Sequence, residues 1–259
     1  MIDSKILDAF IRNPDSISVK SYHSIAKIIS ALENGFTIPH QFFNGNTAKN
    51  ENCVTVGITG GAGAGKSSFI NKLISYIVQA NYSVGIVLID PSSKLTKGTL
   101  LGDRIRINPD YFEKNVYIRS LSTLDHVGNI PSFLSEVVQC MKIIGFDFIL
   151  IETIGIGQND DEIKKYVEKI IYIPSNENFD WIQQHKSSVH DITDIYFINK
   201  NDIHDTNRVK TSIEEYLELM KQYRKTTPVI FCGNAINGEG IVEVYKVLSK
   251  KLKNGSNIE

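Results

Sequence analysis

The chain has 259 residues, of which 42% are hydrophobic and 22% are charged, and its formal net charge is −1. This length allows one large domain with a sizeable core and a small extension. The nearly balanced charge argues against a nucleic-acid partner or an anchor to anionic membranes, and no apolar run is long enough to span a membrane.

The first fifty residues precede the first predicted strand. A helix is predicted where apolar residues recur at helical spacing, at Ile25, Ile28, Ile29 and Leu32. Gly35 follows in a position typical of a helix C-cap, and the Asn-rich stretch 36–52, which contains Pro39, is typical of a connector. We therefore predict an N-terminal helical extension and connector over residues 1–50, packed against one large domain over residues 51–259.

From Cys53 onward, short apolar runs alternate with amphipathic stretches. Strands are predicted at 53–59, 84–89, 146–151, 170–173, 195–198 and 229–232. Helices are predicted after the first strand and at 130–144, 212–223 and 241–252. This alternation predicts an α/β fold of three layers, in which helices cover both faces of a mostly parallel central sheet.

The first strand runs into the sequence G-G-A-G-A-G-K-S at residues 60–67. Strand, glycine-rich loop and helix are the context in which G-x-x-x-x-G-K-S binds the phosphates of a nucleotide, because successive backbone N–H groups and the helix N-terminus face the anion. The predicted phosphate-binding residues are Gly60, Gly61, Ala62, Gly63, Ala64, Gly65, Lys66, Ser67 and Ser68. Lys66 is predicted to reach the β- and γ-phosphates, and the Ser67 hydroxyl to bind Mg²⁺.

Further polar residues follow the ends of two other predicted strands. Glu152 ends the strand 146–151, so its carboxylate is expected near the phosphates, where it can hold a metal-bound water. Gly155 is expected to offer its N–H to the γ-phosphate. Gln158, three residues further on, is a candidate for positioning the attacking water.

A second group of candidates lies in and after the strand 84–89. Asp90 and Asp103 are candidate metal-site carboxylates, since Mg²⁺ takes few protein ligands and keeps several waters. Asp103 is favoured because it lies in a glycine-containing loop. Arg104 and Arg106 are candidates for stabilising the charge that develops on the phosphoryl group.

The strand 195–198 ends in Asn199-Lys200-Asn201-Asp202, an N-K-x-D pattern. The Asp202 carboxylate can accept two parallel hydrogen bonds from guanine, and a buried Asp202 would reject adenine because its oxygens would be left unpaired. Lys200 can lay its stem along the base, and Asn199 can tie this loop to the phosphate loop. The last loop, Asn234-Ala235-Ile236, is predicted to place a backbone N–H against the guanine oxygen.

Taken in order, the stretches GITGGAGAGKSS, LIDPSS, LLGDR, ETIGIGQ and NKND resemble the MeaB/ArgK family of P-loop GTPases. The similarity runs from about Ala26 to Leu252. The resemblance implies a GTP- and GDP-binding, Mg²⁺-dependent GTPase that acts as a chaperone for an adenosylcobalamin-dependent methylmalonyl-CoA mutase, gating cofactor loading and protecting the mutase. It implies metal-site roles for Ser67 and Asp103 with Glu152 close by, and guanine recognition by Asp202.

The chain departs from the family pattern in three loops. The glycine-rich segment of the family corresponds here to Arg119–His126, its acidic P-G-A-G-D-E stretch to Pro174–Lys186, and its usual Ser-Ala to Asn234-Ala235. The chain also ends soon after Leu252, without the C-terminal arm through which family members dimerise. The resemblance therefore predicts a mutase partner, and a homodimer is not assumed.

Other functions remain compatible with a phosphate-binding loop. A small-molecule kinase would use adenine, which N-K-N-D disfavours. A metal-delivery role, as in related GTPases, would need a His or Cys cluster, and the six histidines are scattered. A nucleotide-dependent interaction module with negligible hydrolysis would share the same binding residues.

The three cysteines, Cys53, Cys140 and Cys232, are far apart and lie in apolar runs. This spacing is typical of reduced thiols in a protein core, so we predict a cytoplasmic protein.

Overall fold

A parallel sheet organises the computed structural model, which describes residues 2–45, 52–90, 115–122, 130–153, 160–175, 189–203, 206–224 and 226–254. Within these ranges the strands are β1 (Val54–Gly60), β2 (Val84–Asp90), β3 (Val116–Ser122), β4 (Phe148–Glu152), β5 (Lys169–Ile173), β6 (Ile195–Ile198) and β7 (Val229–Cys232). Their order across the sheet is β3-β2-β4-β1-β5-β6-β7, and every pair is parallel. β1 therefore lies at the centre.

The helices of the same ranges are α1 (Ile2–Arg12), α2 (Tyr22–Glu33), α3 (His40–Gly45), α4 (Lys66–Gln79), α5 (Leu134–Ile144), α6 (Val189–Ile192), α7 (Thr206–Met220) and α8 (Ile241–Asn254). Short 3₁₀ turns cover Pro14–Ser16 and Asp160–Lys165. Within the described ranges, none of the helices has the length and apolar character that a bilayer crossing requires.

The hydrophobic core lies on both faces of the sheet, because successive side chains of each strand point to opposite faces. In β4, Ile149 and Ile151 pack with α1, α2 and α5, whereas Phe148 and Leu150 pack with α4 and α8. Successive strand residues point to opposite faces, so a strand covered on both sides must be apolar throughout. The predicted three-layer α/β fold with a parallel sheet is confirmed.

The N-terminal helices belong to the first of these two sides. Phe10 of α1 and Ile28 of α2 are fully buried in the same cluster as the sheet residues. Arg119 of β3 forms an ion pair with Glu33 at the end of α2, and it also donates a hydrogen bond of 3.0 Å to the Ser30 hydroxyl. The boundary at residue 50 between an extension and a nucleotide domain stays a prediction.

The sequence prediction missed one strand and misplaced the bounds of two helices. The missed strand is β3, in which Arg119 and Ser120 interrupt the apolar run. Its apolar residues nevertheless alternate between the two faces, with Val116 and Ile118 on one and Tyr117 and Leu121 on the other, and this alternation is a strand signal. The helix predicted at 130–144 begins at Leu134. The helix predicted at 212–223 covers Thr206–Met220.

Thiol reactivity should distinguish the three cysteines. Cys53 and Cys140 are buried, and burial raises the pKa of Cys53 to about 12 and the pKa of Cys140 well above its usual range. On the order of 10⁻⁴ of Cys53 is then thiolate at pH 8, so it reacts slowly in the native state. We expect one fast thiol per chain with a chromogenic disulfide reagent, the half-buried Cys232. Cys232→Ser should remove the fast phase, and fast reaction of two or more thiols in the native wild type would contradict the buried positions.

Candidate functional site

The loop between β1 and α4 has a backbone that only glycine adopts easily at its critical positions. Gly60 has a φ of 150°, and a Cβ placed there would lie 2.1 Å from the carbonyl oxygen of Ile173 in the neighbouring strand β5. Gly65 has a φ of 91° and directly precedes the first residue of α4. The loop thus curls from the central strand into the helix N-terminus, where N–H groups without helical partners face outward.

Alanine substitutions at two glycines of this loop should distinguish a steric clash from the cost of an unfavourable φ angle. Gly60→Ala should lower the free energy of unfolding by about 3 kcal/mol, because the new Cβ would both strain the backbone and collide with the carbonyl oxygen of Ile173. Gly63→Ala is the matched control. Its φ is 73°, but a Cβ there meets nothing within 4 Å, so a loss of about 1 kcal/mol is expected. Urea unfolding of both variants measures this difference, and equal losses would contradict the close approach of Gly60 to Ile173.

Lys66 lies at the first position of α4 and bends back over the loop. Its Nζ donates hydrogen bonds to the carbonyl oxygens of Gly60, at 2.9 Å, and Gly61, at 3.1 Å. The ammonium group is therefore held over the concave side of the loop. Ala62 and Gly63 at the tip of the loop are exposed, as is Ser68 in the first turn of the helix.

Ser67 and Glu152, which are far apart in sequence, meet at the carboxyl end of the sheet. The Ser67 hydroxyl donates to Glu152 Oε1 over 3.3 Å. The contact follows from the topology, since β4 pairs with β1 in the register Ile58 to Glu152. Oxygen atoms of a hydroxyl and a carboxylate are the ligands that Mg²⁺ prefers. Asp90 ends β2 beside β4, but its side chain lies outside the described atoms.

Asn199 joins three segments of the chain in the buried interior. Its Nδ2 donates to the carbonyl oxygen of Ala64 over 2.9 Å, and its Oδ1 accepts the backbone N–H of Ala235 at 2.8 Å. The side chain is thus the link between the N-K-x-D loop and the phosphate loop that the sequence predicts. A Cβ on Gly65 would lie 2.2 Å from Asn199 Nδ2, so this link also requires glycine at residue 65.

The rest of the N-K-x-D loop lies at the surface. Lys200 is half-buried and has a left-handed backbone, with a φ of 63°. Asp202 is exposed. It lies in a turn beyond the end of β6, and no described residue covers it. Its carboxylate is therefore accessible from solvent.

In the loop after β7, two backbone N–H groups are already engaged. The N–H of Ala235 donates to Asn199, and that of Ile236 donates to Asn234 Oδ1 over 2.8 Å. The predicted contact between this loop and a guanine oxygen would have to replace or share one of these bonds. The Ile236 side chain is 83% exposed beside them.

Sequence reasoning missed the contribution of Glu239. Its Oε1 accepts a hydrogen bond of 2.9 Å from Asn201 Nδ2, and its carbonyl oxygen accepts the N–H of Asn234 at 3.1 Å. A Cβ on Gly233 would lie 2.0 Å from that carbonyl oxygen. The closely spaced glycines of 233–240 were the available signal, since they permit such a tight loop.

Five predicted residues lie outside the described ranges: Asp103, Arg104, Arg106, Gly155 and Gln158. The stretch 176–186 of the segment Pro174–Lys186 lies outside them as well, as does 123–126 of the segment Arg119–His126. Their predicted roles stay predictions.

The central strand of this parallel sheet ends in a glycine-rich loop, and the helix that follows begins with the lysine of that loop. This arrangement defines a P-loop nucleotidase. A solved structure described as LAO/AO transport system kinase has the same fold. Its TM-score is 0.64 at 18% sequence identity, and the match covers 97% of this chain and 77% of that one.

The family model described as methylmalonyl-CoA mutase-associated GTPase MeaB matches residues 25–255. The chain therefore belongs to the MeaB family and is a P-loop GTPase that binds guanine nucleotides, which confirms the resemblance. A relative from Pyrococcus horikoshii is 29% identical over 233 residues, covering 89% of this chain and 74% of the relative. The fused isobutyryl-CoA mutase of Cupriavidus metallidurans is 35% identical over 192 residues, covering 73% of this chain but 18% of that protein. The chain spans 55% and 61% of the length of two further relatives.

Proposed function

We propose that this protein is a Mg²⁺-dependent GTPase that uses the cycle of GTP binding and hydrolysis to assist an adenosylcobalamin-dependent acyl-CoA mutase. The observation that carries the nucleotide part is the double hydrogen bond of Asn199 to Ala64 and Ala235. It fixes the two loops predicted for phosphate and base at a set distance from each other. One GTP molecule can then contact both loops.

The phosphate groups are proposed to lie in the loop Gly60–Ser67, with Lys66 exchanging its bonds to Gly60 and Gly61 for bonds to the β- and γ-phosphate oxygens. Those two carbonyl bonds hold the ammonium group in place beforehand, which lowers the cost of orienting it. A fixed positive charge at this point stabilises the negative charge that develops on the γ-phosphoryl group. In-line attack by water completes hydrolysis to GDP and phosphate.

The hydroxyl of Ser67 and the carboxylate of Glu152 fit a magnesium ion, because they are hard oxygen ligands within 3.3 Å of each other. Ser67 would bind the ion directly, and Glu152 would hold one of its waters. When bound, Mg²⁺ neutralises charge on the β- and γ-phosphates. Asp90 and Asp103 are proposed for the same site, Gly155 for the γ-phosphate, and Arg106 and Gln158 for charge stabilisation and water positioning.

Asp202 is proposed to read guanine, with Lys200 along the base and the loop 234–236 beside it. The exposure of the Asp202 carboxylate supports this role, since an incoming base can reach it. Asn201 is held by Glu239, which restrains the turn that carries Asp202.

The mutase partner is proposed from the family, whose description names methylmalonyl-CoA mutase, and from the similarity to part of a protein named fused isobutyryl-CoA mutase. The protein would gate loading of the cofactor and protect the loaded mutase. We also propose a cytoplasmic location, in keeping with the free, buried Cys53 and Cys140.

Single-turnover hydrolysis of GTP tests the enzymatic part. With Mg²⁺, wild type should form GDP slowly, and a purified methylmalonyl-CoA or isobutyryl-CoA mutase should change the rate or bind differently to the GDP and GTP states. Ser67→Ala should lose the dependence on Mg²⁺, and Ser75→Ala, further along the same helix and away from the loop, is the matched control. No GDP formation with or without either mutase would refute the proposal of a hydrolysing chaperone in favour of a binding module.

A further inference from the structure

A cavity of about 170 Å³ lies between α5 and the turn that leads into β5. Two of its lining residues, Ser135 and Gln139, are exposed, so solvent reaches it. Thr55, near the amino end of the central strand β1, lines it from within and is 1% exposed. Five residues of strand separate Thr55 from Gly60, a rise of about 16 Å. The cavity is therefore separate from the candidate nucleotide site.

Thr55 offers this cavity a buried hydrogen-bond donor. Its Oγ1 accepts the backbone N–H of Glu168 at 3.0 Å, and among the described residues its hydroxyl hydrogen has no acceptor. The same N–H also donates to the Thr55 carbonyl oxygen over 3.0 Å, so it does not depend on the hydroxyl. A valine would fill the same space, and a buried donor without an acceptor costs stability. The hydroxyl is therefore suited to a ligand that accepts a hydrogen bond.

Two ammonium groups line the same cavity, that of Lys142 in the last turn of α5 and that of Lys165 at the end of the 3₁₀ turn. Lys142 is half-buried, and it forms no ion pair with any carboxylate of the described ranges. Lys165 pairs with Glu162 over 3.2 Å, but their side chains are 67% and 40% exposed. An ion pair this open to water is weak, so a ligand can recruit both lysines.

The carboxylate on the cavity wall does not cancel these two charges. Glu168 is the single acidic residue among the described residues that line the cavity. Its two carboxylate oxygens lie 2.7 Å and 2.9 Å from the Nζ of Lys251, which comes from α8. Because Lys251 already neutralises Glu168, the cavity presents two positive charges together with neutral donors.

We propose that this cavity binds a phosphate group, either as inorganic phosphate or as the end of a phosphomonoester. A phosphate group carries about −1.5 to −2 charge near neutral pH, which matches Lys142 and Lys165. Hydrogen bonds from ammonium groups to its oxygens are stronger than neutral ones. Thr55, Ser135 and Gln139 supply further donors. At about 30 Å³ for each water molecule, the cavity holds the volume of about six waters, so the remainder of a larger phosphomonoester would extend through the opening.

Isothermal titration calorimetry of the full chain tests the proposal, with GDP and Mg²⁺ in excess so that the phosphate loop is occupied. Inorganic phosphate and methyl phosphate are titrated separately, and the tighter of the two identifies the source of the group. Lys142→Met keeps the apolar stem without the charge and should weaken binding by about tenfold or more. Lys165→Met should act in the same direction. Lys250→Met, at an exposed position of α8, is the matched control and should bind as wild type does.

Thr55→Val tests the buried donor without changing the charge. It should weaken binding by about threefold to tenfold and leave the midpoint of urea unfolding nearly unchanged. A wild type that binds neither phosphate nor methyl phosphate would overturn the proposal. Affinities of Lys142→Met and Thr55→Val within twofold of wild type would indicate an adventitious ion only and overturn it too.

The phosphate loop is excluded as the site of binding by a further titration. Lys66→Ala impairs that loop, lies outside the cavity, and should bind phosphate as tightly as wild type does. Loss of phosphate binding in Lys66→Ala would place the ion in the loop and overturn the proposal. Because this titration needs neither GDP binding nor hydrolysis, its outcome is independent of the proposed GTPase chemistry.

Discussion

Replacing Asp202 with Asn should reduce the affinity for GTP by about a hundredfold or more and leave the affinity for ATP nearly unchanged. The carboxylate accepts two hydrogen bonds from guanine, each worth about 1.5–3 kcal/mol when one partner is charged. The Asn amide can accept one of them, but its NH₂ group opposes the 2-amino group of the base. Competition of GTP and ATP against a fluorescent guanine nucleotide measures the change.

The same variant should gain affinity for xanthosine triphosphate, whose 2-oxo group accepts a hydrogen bond from the Asn amide. This gain distinguishes a switch of base recognition from simple damage to the loop. Asp8→Asn, an exposed carboxylate on α1, is the control and should change neither preference. Retention of the GTP preference in Asp202→Asn, or equal competition by ATP in wild type, would contradict guanine recognition by Asp202.

Replacing Lys66 with Ala should lower the rate of GTP hydrolysis by about 10²–10³, which corresponds to roughly 3–4 kcal/mol of lost charge stabilisation. The ammonium group lies over the loop at 2.9 Å from the Gly60 carbonyl oxygen, so this substitution removes the positive charge held there. GDP affinity should fall less than GTP affinity, because the γ-phosphate contact is absent in GDP. Single-turnover rates and nucleotide titrations measure both effects.

The variant Lys66→Arg should be compared with Lys66→Ala. It keeps the positive charge but replaces a compact ammonium group with a planar fork that fits the loop poorly. We expect it to retain nucleotide binding better than Lys66→Ala and still hydrolyse slowly. A rate for Lys66→Ala within about threefold of wild type would show that the lysine does not contact the reacting phosphate.

The local sequence pattern was sufficient to predict most of the fold and the phosphate loop. Strands that are buried on both faces need continuous apolar runs, so β1, β4 and β6 are readable from composition alone. β3 was not readable in the same way. Its Arg119 forms an ion pair with Glu33, a contact with α2 that exists only after the chain has folded.

The candidate site also contains some residues that local sequence identifies and others that it does not. The glycines, Lys66 and Ser67 are recognisable because the chemistry of phosphate binding requires these residue types at this spacing. Asp202 could be identified by type, but its exposure could not, since the exposure of a side chain depends on what covers a turn and not on the turn itself.

The sequence by itself determined the class of chemistry, because a phosphate loop, a guanine-reading pattern and the strands that carry them are each encoded within about ten neighbouring residues. Only the tertiary structure decided which distant residues meet. Ser67 reaches Glu152 across the β1–β4 pair, Asn199 joins Ala64 to Ala235, and Glu239 holds Asn201. These contacts join residues 36 to 135 positions apart, and they follow from strand order and register, which no local pattern contains.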